Sequence, residues 1–386
     1  MKIREIRHRT VRLQGNVANA LVNFSTHTVS LVAVISDQVR NGRPVVGLAF
    51  DGIGRFAQPS ILAERMIPRL LQAAPESLLG ADGLLAPDKV LDCAMQNEKP
   101  GGHGDRAHAA AALELAIWDL NAKLADEPAA ATIARSQGLA LQPSVSVYAA
   151  GGYYYPGATG EKLAEEISHY RDLGFTRFKM KIGGASLGED LQRVESAAKA
   201  AGRPSALAVD ANGRFTLDQA IACGKALYDF GLWWYEEAVD PLDFESHALL
   251  AQVYPGRLAT GENLFSPQDV KNLALYGGMR PGLDIFQMDS SLSCGVTGYL
   301  RMLREMESRG FWRSQAFPHG GQLMALHVVA GLGLGGCEVY PGVFAPVGGF
   351  CDGQAVNNGQ VKVPDLPGFG FECKPELARE FAQLVQ

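Results

Sequence analysis

Lys179 and Lys181 are separated by a single methionine and flanked by Phe178 and Ile182. In an extended segment side chains alternate between faces, so both lysines share one face and the apolar residues share the other. Two ammonium groups on the inner face of a buried strand repel each other and lose hydration, so structure alone gives little reason for them. Beyond them stand Asp210, Glu236, Glu262, Asp289, His319 and Glu338, at intervals of 29, 26, 26, 27, 30 and 19 residues counted from Lys181. Each closes a short apolar run, and five of the six intervals suit one strand, one helix and two short loops. Charged groups therefore recur at the same point of successive units and converge on one opening. Taken singly, each has a plainer reading: a strand-end acid often caps a helix, and His319 or His327 alone reads as a core or capping histidine. The recurrence is what favours chemistry.

Asp210, Glu236 and Glu262 are hard oxygen ligands suited to octahedral Mg²⁺, with positions left for water and substrate oxygens. A metal there can hold a substrate carboxylate and stabilise the charge that develops when a proton leaves the adjacent carbon. Lys181 is the candidate base, and the like charge of Lys179 is expected to favour its neutral amine and to help bind the carboxylate. His319, five strands on, is expected across the mouth, with Asp289 as the partner that orients and charges its imidazole. Glu338 can hydrogen-bond the carboxylate oxygens of an enediolate, and Asn212, two residues after Asp210, is a further candidate for substrate contact.

The elements that must position these groups can be read from the pattern. Strand candidates are Ser144–Ala149, Arg177–Ile182, Ala206–Asn212, Trp233–Glu237, Arg257–Glu262, Ile285–Asp289, Gln315–His319 and Glu338–Tyr340, with helical runs between them. Alternation of eight strands with helices predicts an α/β fold of the (β/α)8 type, whose catalytic groups sit at the C-terminal strand ends. Residues 1–141 begin with strand-like segments and turn helical, ending in an Ala/Leu-rich run over Ala107–Ala125 that reads as amphipathic. They predict a separate α+β unit, with the barrel over 142–342. Residues 343–386 carry Pro/Gly turns and one helix, Pro375–Val385, and are expected to pack back on the first unit. Several of the paired glycines, such as Gly183-Gly184 and Gly320-Gly321, punctuate the repeat at its mouth.

Composition narrows the function. The 386 residues carry 35 basic and 41 acidic side chains, a formal net charge of −6, with no Lys/Arg block. That argues against nucleic acid as partner and leaves room for a local basic pocket that takes a small acidic molecule. The charged N-terminus shows no export signal, and no stretch offers 18 uninterrupted apolar residues, which argues against a membrane span. Six cysteines without Cys-x-x-Cys spacing read as buried thiols with no zinc or disulfide framework, pointing to a reducing, cytoplasmic setting. A homo-oligomer is expected.

This constellation resembles the enolase superfamily and, within it, the mandelate racemase subgroup. The resemblance is carried by Lys179-Met180-Lys181, Asp210-Ala211-Asn212, Glu236-Glu237, Gly261-Glu262-Asn263, Asp289, Pro318-His319 and Cys337-Glu338. It implies a modified barrel, (β/α)7β, under an α+β capping domain. The D-tartrate dehydratase branch is similar over Asn97–Gly104, Tyr148–Gly157, Val209–Phe215, Pro318–Gly321 and Pro364–Gly368. That likeness implies Lys181 as base, His319 as general acid, Asp210, Glu236 and Glu262 as Mg²⁺ ligands, and Asn19, Arg55 and Lys99 in the cap as substrate contacts. The segment Phe50-Asp51-Gly52-Ile53-Gly54-Arg55-Phe56 departs from the branch's Phe-Asn-Ser-Asn-Gly-Arg-Tyr, placing Ile53 where an amide stands. The reading is a dehydratase of a polyhydroxy carboxylic acid, tartrate or a related acid sugar. A racemase or epimerase on the same scaffold, and a catalytically silent metabolite-binding barrel, are the alternatives.

Overall fold

The computed structural model describes residues 1–155 and 157–386; Pro156, within the Tyr148–Gly157 stretch, lies outside the described residues. Strands β1 (Ile3–Arg12), β2 (Thr28–Arg40) and β3 (Arg43–Phe50) form an antiparallel sheet in the order β1-β2-β3. β2 is rich in β-branched residues, buried from Val29 to Ser36, and pairs Leu31 with Phe50 and Val32 with Ala49. The helix Gly104–Ala125 packs on β2 and β3 on one side and on the barrel helix Gly295–Ser308 on another. Its residues are buried without a break from Ala107 to Ala122, so it is not amphipathic as its sequence suggested. A helix enclosed on every side needs no polar face. Its small residues let it lie close: a Cβ at Gly47 of β3 would fall 2.0 Å from the Ala116 carbonyl oxygen.

The barrel follows. Its strands are β4 (Ser144–Gly151), β5 (Phe178–Lys181), β6 (Leu207–Asp210), β7 (Tyr235–Glu236), β8 (Leu258–Thr260), β9 (Ile285–Phe286) and β10 (Cys337–Val339). They are parallel neighbours in the order β10-β4-β5-β6-β7-β8-β9. The strand expected over Gln315–His319 is not formed as such. Ala316 makes one bridge to Phe286, Phe317 N–H donates to the Phe286 carbonyl at 2.8 Å, and Gly335 N–H donates to the Ala316 carbonyl at 3.0 Å. This segment closes the ring between β9 and β10, and seven helices join the eight positions, giving (β/α)7β. Each barrel strand observed lies within its predicted segment to within two residues, because the apolar runs are as long as a buried parallel strand requires.

The C-terminal segment does two things. Its helix Pro375–Val385 packs on β1 and β2, while β11 (Gln360–Lys362) pairs antiparallel with Ser144–Ser146 at the start of β4. It also corrects the reading of the cysteines. Cys351 and Cys373 form a disulfide, their Cα atoms 5.0 Å apart, and Cys93 and Cys294 are only half-buried. Local spacing could not reveal a pair made by a tail that folds back over 22 residues. Among the described residues, no helix is long and apolar enough to cross a membrane.

Candidate active site

Strand register builds the site. In the parallel ladder Lys181 pairs with Asp210, and Asp210 pairs with Glu236, so three charged residues of β5, β6 and β7 stand in one row at the C-terminal ends. Glu262 lies two residues beyond β8. One carboxylate oxygen from each of Asp210, Glu236 and Glu262 falls within 4.8 Å of the others. Three oxygen donors so placed, from three separate strands, suit a hard divalent cation.

The lysines are bound into this row. Lys181 donates to Asp210 Oδ2 at 2.5 Å; Lys179 donates to Glu236 Oε1 at 2.5 Å and stands 2.8 Å from Glu338 Oε1 and 3.5 Å from Asp210. Trp234, which precedes Tyr235 in sequence, donates its indole N–H to Glu236 Oε2 at 2.7 Å. Burial by itself would depress both ammonium groups, but the carboxylates outweigh it: Asp210 raises Lys181, and Glu236 and Glu338 raise Lys179. This corrects the expectation that Lys179 would leave Lys181 neutral. The repulsion is present, yet the carboxylate in contact with Lys181 is the stronger influence at this separation. Asp210, for its part, is held below the ordinary carboxylate range, the two lysines overriding burial.

Across the mouth, His319 follows the ring-closing segment. Its Nδ1 lies 3.3 Å from Asp289 Oδ2, and its Nε2 lies 2.9 Å from the Tyr340 hydroxyl and 3.7 Å from Glu262. Asp289 is fixed in turn by the N–H and hydroxyl of Ser291, both at 2.8 Å. Burial opposes the imidazolium, but Glu262, the bond to Asp289 and Glu338 together raise His319 to about 9. Gly320, at φ +92°, makes the close approach possible, since a Cβ there would fall 2.3 Å from Asp289 Oδ2.

Lys181 and His319 line one cavity of about 250 Å³ together with Asn19, Asn212, Glu262 and the apolar Val22, Phe24, Ile53 and Phe344. A second lobe of about 370 Å³ shares Val22, Ile53, Glu262, Asn263 and His319 and adds Arg55 and His27. Asn19, Arg55 and Asn212 are thus brought to the cavity. Glu338 and Lys179 sit beneath it, against the acidic row. Lys99 is not among the residues lining either lobe; it is exposed. Its neighbour Glu98 is anchored to Arg65, Arg69 and Arg106.

Four further lining residues were given no role by the sequence reading. Tyr340 lies two residues past Glu338, the spacing that returns a side chain to the same face, and this periodicity could have found it. Glu237 and Asn263 directly follow metal-ligand candidates. Asn263 Nδ2 donates to Glu237 Oε1 at 2.8 Å while its Oδ1 accepts from Arg55 at 3.1 Å, which ties the cap to the barrel rim. Tyr153 lies under Lys181, whose Nζ is 5.5 Å from the ring centroid; it falls in the Tyr148–Gly157 stretch that carries the resemblance, but nothing there singles it out from its neighbours.

A (β/α)7β barrel under an α+β cap, opening on three carboxylates, two lysines and a histidine, is the architecture of mandelate racemase-type barrel enzymes. Residues 162–377, more than half of the chain, match the family described as enolase C-terminal domain-like, and the chain belongs to the enolase superfamily, in its mandelate racemase subgroup. It is 27% identical over 275 residues to an arabinonate dehydratase of Saccharolobus solfataricus, covering 70% of each chain. It is 26% identical over 355 residues to an L-talarate/galactarate dehydratase of Salmonella typhimurium, covering 92% of this chain and 83% of that one. A racemase from Streptomyces coelicolor A3(2), solved with bound magnesium, shares the fold at a TM-score of 0.78 and 23% identity over the whole of both chains.

Proposed function

We propose that this chain is a Mg²⁺-dependent dehydratase that converts a polyhydroxy carboxylic acid, tartrate or a related acid sugar, to a 2-keto acid. The observation that carries the reading is that Lys181 and His319, from opposite sides of the barrel mouth, line the same cavity as Glu262. A divalent cation among Asp210, Glu236 and Glu262 would supply the positive charge that stabilises a substrate enediolate and would compete with Lys181 for Asp210. Lys179, kept cationic by Glu236 and Glu338, holds a substrate carboxylate oxygen; a cation that takes up Asp210 would free Lys181 from the contact that keeps it charged, and the repulsion of Lys179 would then favour its neutral amine. That amine takes the proton from the α-carbon, and the electron pair of the broken C–H bond passes into the enediolate. His319, an imidazolium supported by Asp289, gives its Nε2 proton to the β-hydroxyl as the C–O bond breaks, so that water leaves. The enol product tautomerises to the keto acid. Substrates of opposite α-configuration exchange the roles of the two groups.

The names of the relatives, two of them acid-sugar dehydratases, support this class of reaction. The test is a screen of the purified protein with Mg²⁺ against a diastereomer-complete set of acid sugars, read by keto-acid formation. Proton NMR in D₂O separates the second reading, a racemase or epimerase, which the placement of two proton carriers on one cavity also suits. Deuterated acid that keeps its hydroxyls supports that reading; keto acid supports dehydration. If Lys181→Ala and His319→Ala leave turnover of every acid sugar unchanged, the barrel is no catalyst of this kind.

A further inference from the structure

The opposite end of the barrel carries a second constellation. Arg177 immediately precedes Phe178 of β5, Arg257 immediately precedes Leu258 of β8, and Arg203 stands four residues before β6. Acids and bases gather at the C-terminal strand ends, while these arginines gather at the N-terminal ends. There a polar cavity of about 310 Å³ is lined by Arg177, Arg203, Thr176, Ser146, Asn358 and Gln360, over a floor of Trp233 and Phe317. No carboxylate is among its lining residues.

Arg177 is half-buried, with its guanidinium 4.2 Å above the Trp233 ring. Burial lowers its affinity for a proton, and the charges of Arg257 and Arg203 lower it further. Like charges brought together around a half-buried guanidinium are costly unless an anion joins them. In a chain of net charge −6, the cluster is a local reversal of sign. Its donors suit a tetrahedral dianion better than a lone carboxylate, because one guanidinium already satisfies a carboxylate through two parallel hydrogen bonds. Here a second guanidinium, the Asn358 amide and the Thr176 hydroxyl stand beside it, with Ser146, whose oxygen already accepts from the Gln360 amide at 2.6 Å, still able to donate.

We propose that this cavity at the N-terminal end of the barrel is a binding site for a small phosphate-bearing anion, held by Arg177 and Arg203 and separate from the active-site mouth. The proposal does not depend on the dehydratase reading. Inorganic phosphate is the probe, measured by isothermal titration calorimetry on the full-length protein with Mg²⁺. Wild type is expected to bind one phosphate per chain, and Lys181→Ala, which alters the active-site mouth, is expected to keep that binding. Arg177→Gln and Arg203→Gln are each expected to weaken it by about tenfold or more, and raised salt to weaken it further. Arg203 is exposed, so its variant keeps the test valid if loss of the contact between Arg177 and Trp233 harms folding. Absence of saturable binding overturns the proposal, as does binding lost in Lys181→Ala and untouched in Arg203→Gln. Succinate binding as tightly as phosphate at this site overturns the phosphate class.

Discussion

The hydroxyl of Tyr340 lies 2.9 Å from Nε2 of His319, the ring nitrogen opposite the one that faces Asp289. The imidazole is thereby held at both ends, by a carboxylate that adds to the charge Glu262 favours and a phenol that sets its aim. Tyr340→Phe removes the second hold and leaves a buried nitrogen without that partner, at a cost of about 1–2 kcal/mol. We expect kcat to fall about five- to thirtyfold and the melting temperature to drop by about a few degrees. Steady-state kinetics beside thermal unfolding checks this; an unchanged kcat would mean that Asp289 alone positions the ring.

Chelation should abolish turnover and added Mg²⁺ should restore it. Glu262 contributes one of the three converging carboxylates. Glu262→Gln should weaken metal binding by at least about a hundredfold, since even partners outside the ligand set cost about 10–100-fold. Metal titration followed by calorimetry reads this directly, without reference to substrate.

Ile53 is buried and lines both lobes of the cavity with a hydrocarbon surface. Ile53→Asn should shift preference toward acids with an additional hydroxyl or carboxylate at the far end, by about tenfold or more in relative kcat/KM. Paired assays with acids that differ only in that group decide it. Equal loss on both members of the pair would assign Ile53 to packing alone.

Gly320→Ala forces a methyl group toward Asp289 at a backbone conformation that side chains disfavour. A destabilisation of about 1–3 kcal/mol and a loss of activity greater than that of Tyr340→Phe are expected, measured by denaturant unfolding and by turnover. Activity at the wild-type level would show that the Asp289–His319 pair tolerates displacement.

Glu98 is held at about 2 by its hydrogen bond to Arg65, against opposing burial and with help from Arg69. A carboxyl depressed on folding contributes stability above its unfolded value near 4.5, and loses that contribution as pH falls toward 2. Glu98→Gln should therefore cost about 1–2 kcal/mol at pH 7, with partial solvent exposure of the arginines limiting the effect. Urea unfolding at pH 7 and near pH 3 should show the gap between variant and wild type narrowing on the acid side.

Much of the barrel and its row of charged ends was legible in the sequence. Strand period and connection length are local properties, so intervals of 26 to 30 residues place Lys181, Asp210, Glu236, Glu262, Asp289 and His319 at equivalent points of successive units. A likeness to the enolase superfamily was legible for the same reason, since its motifs lie at those points. Partnership was decided by the tertiary structure. The pairing of Lys181 with Asp210, of Tyr340 with His319, and of Asn263 with both Glu237 and Arg55 depends on register and on how the cap meets the rim. So does the exclusion of Lys99 from the cavity, and so does the bond between Cys351 and Cys373. The charge state of the lysines follows from these contacts: the carboxylates around them together outweigh both burial and a like charge, and no periodicity along the chain reports those distances.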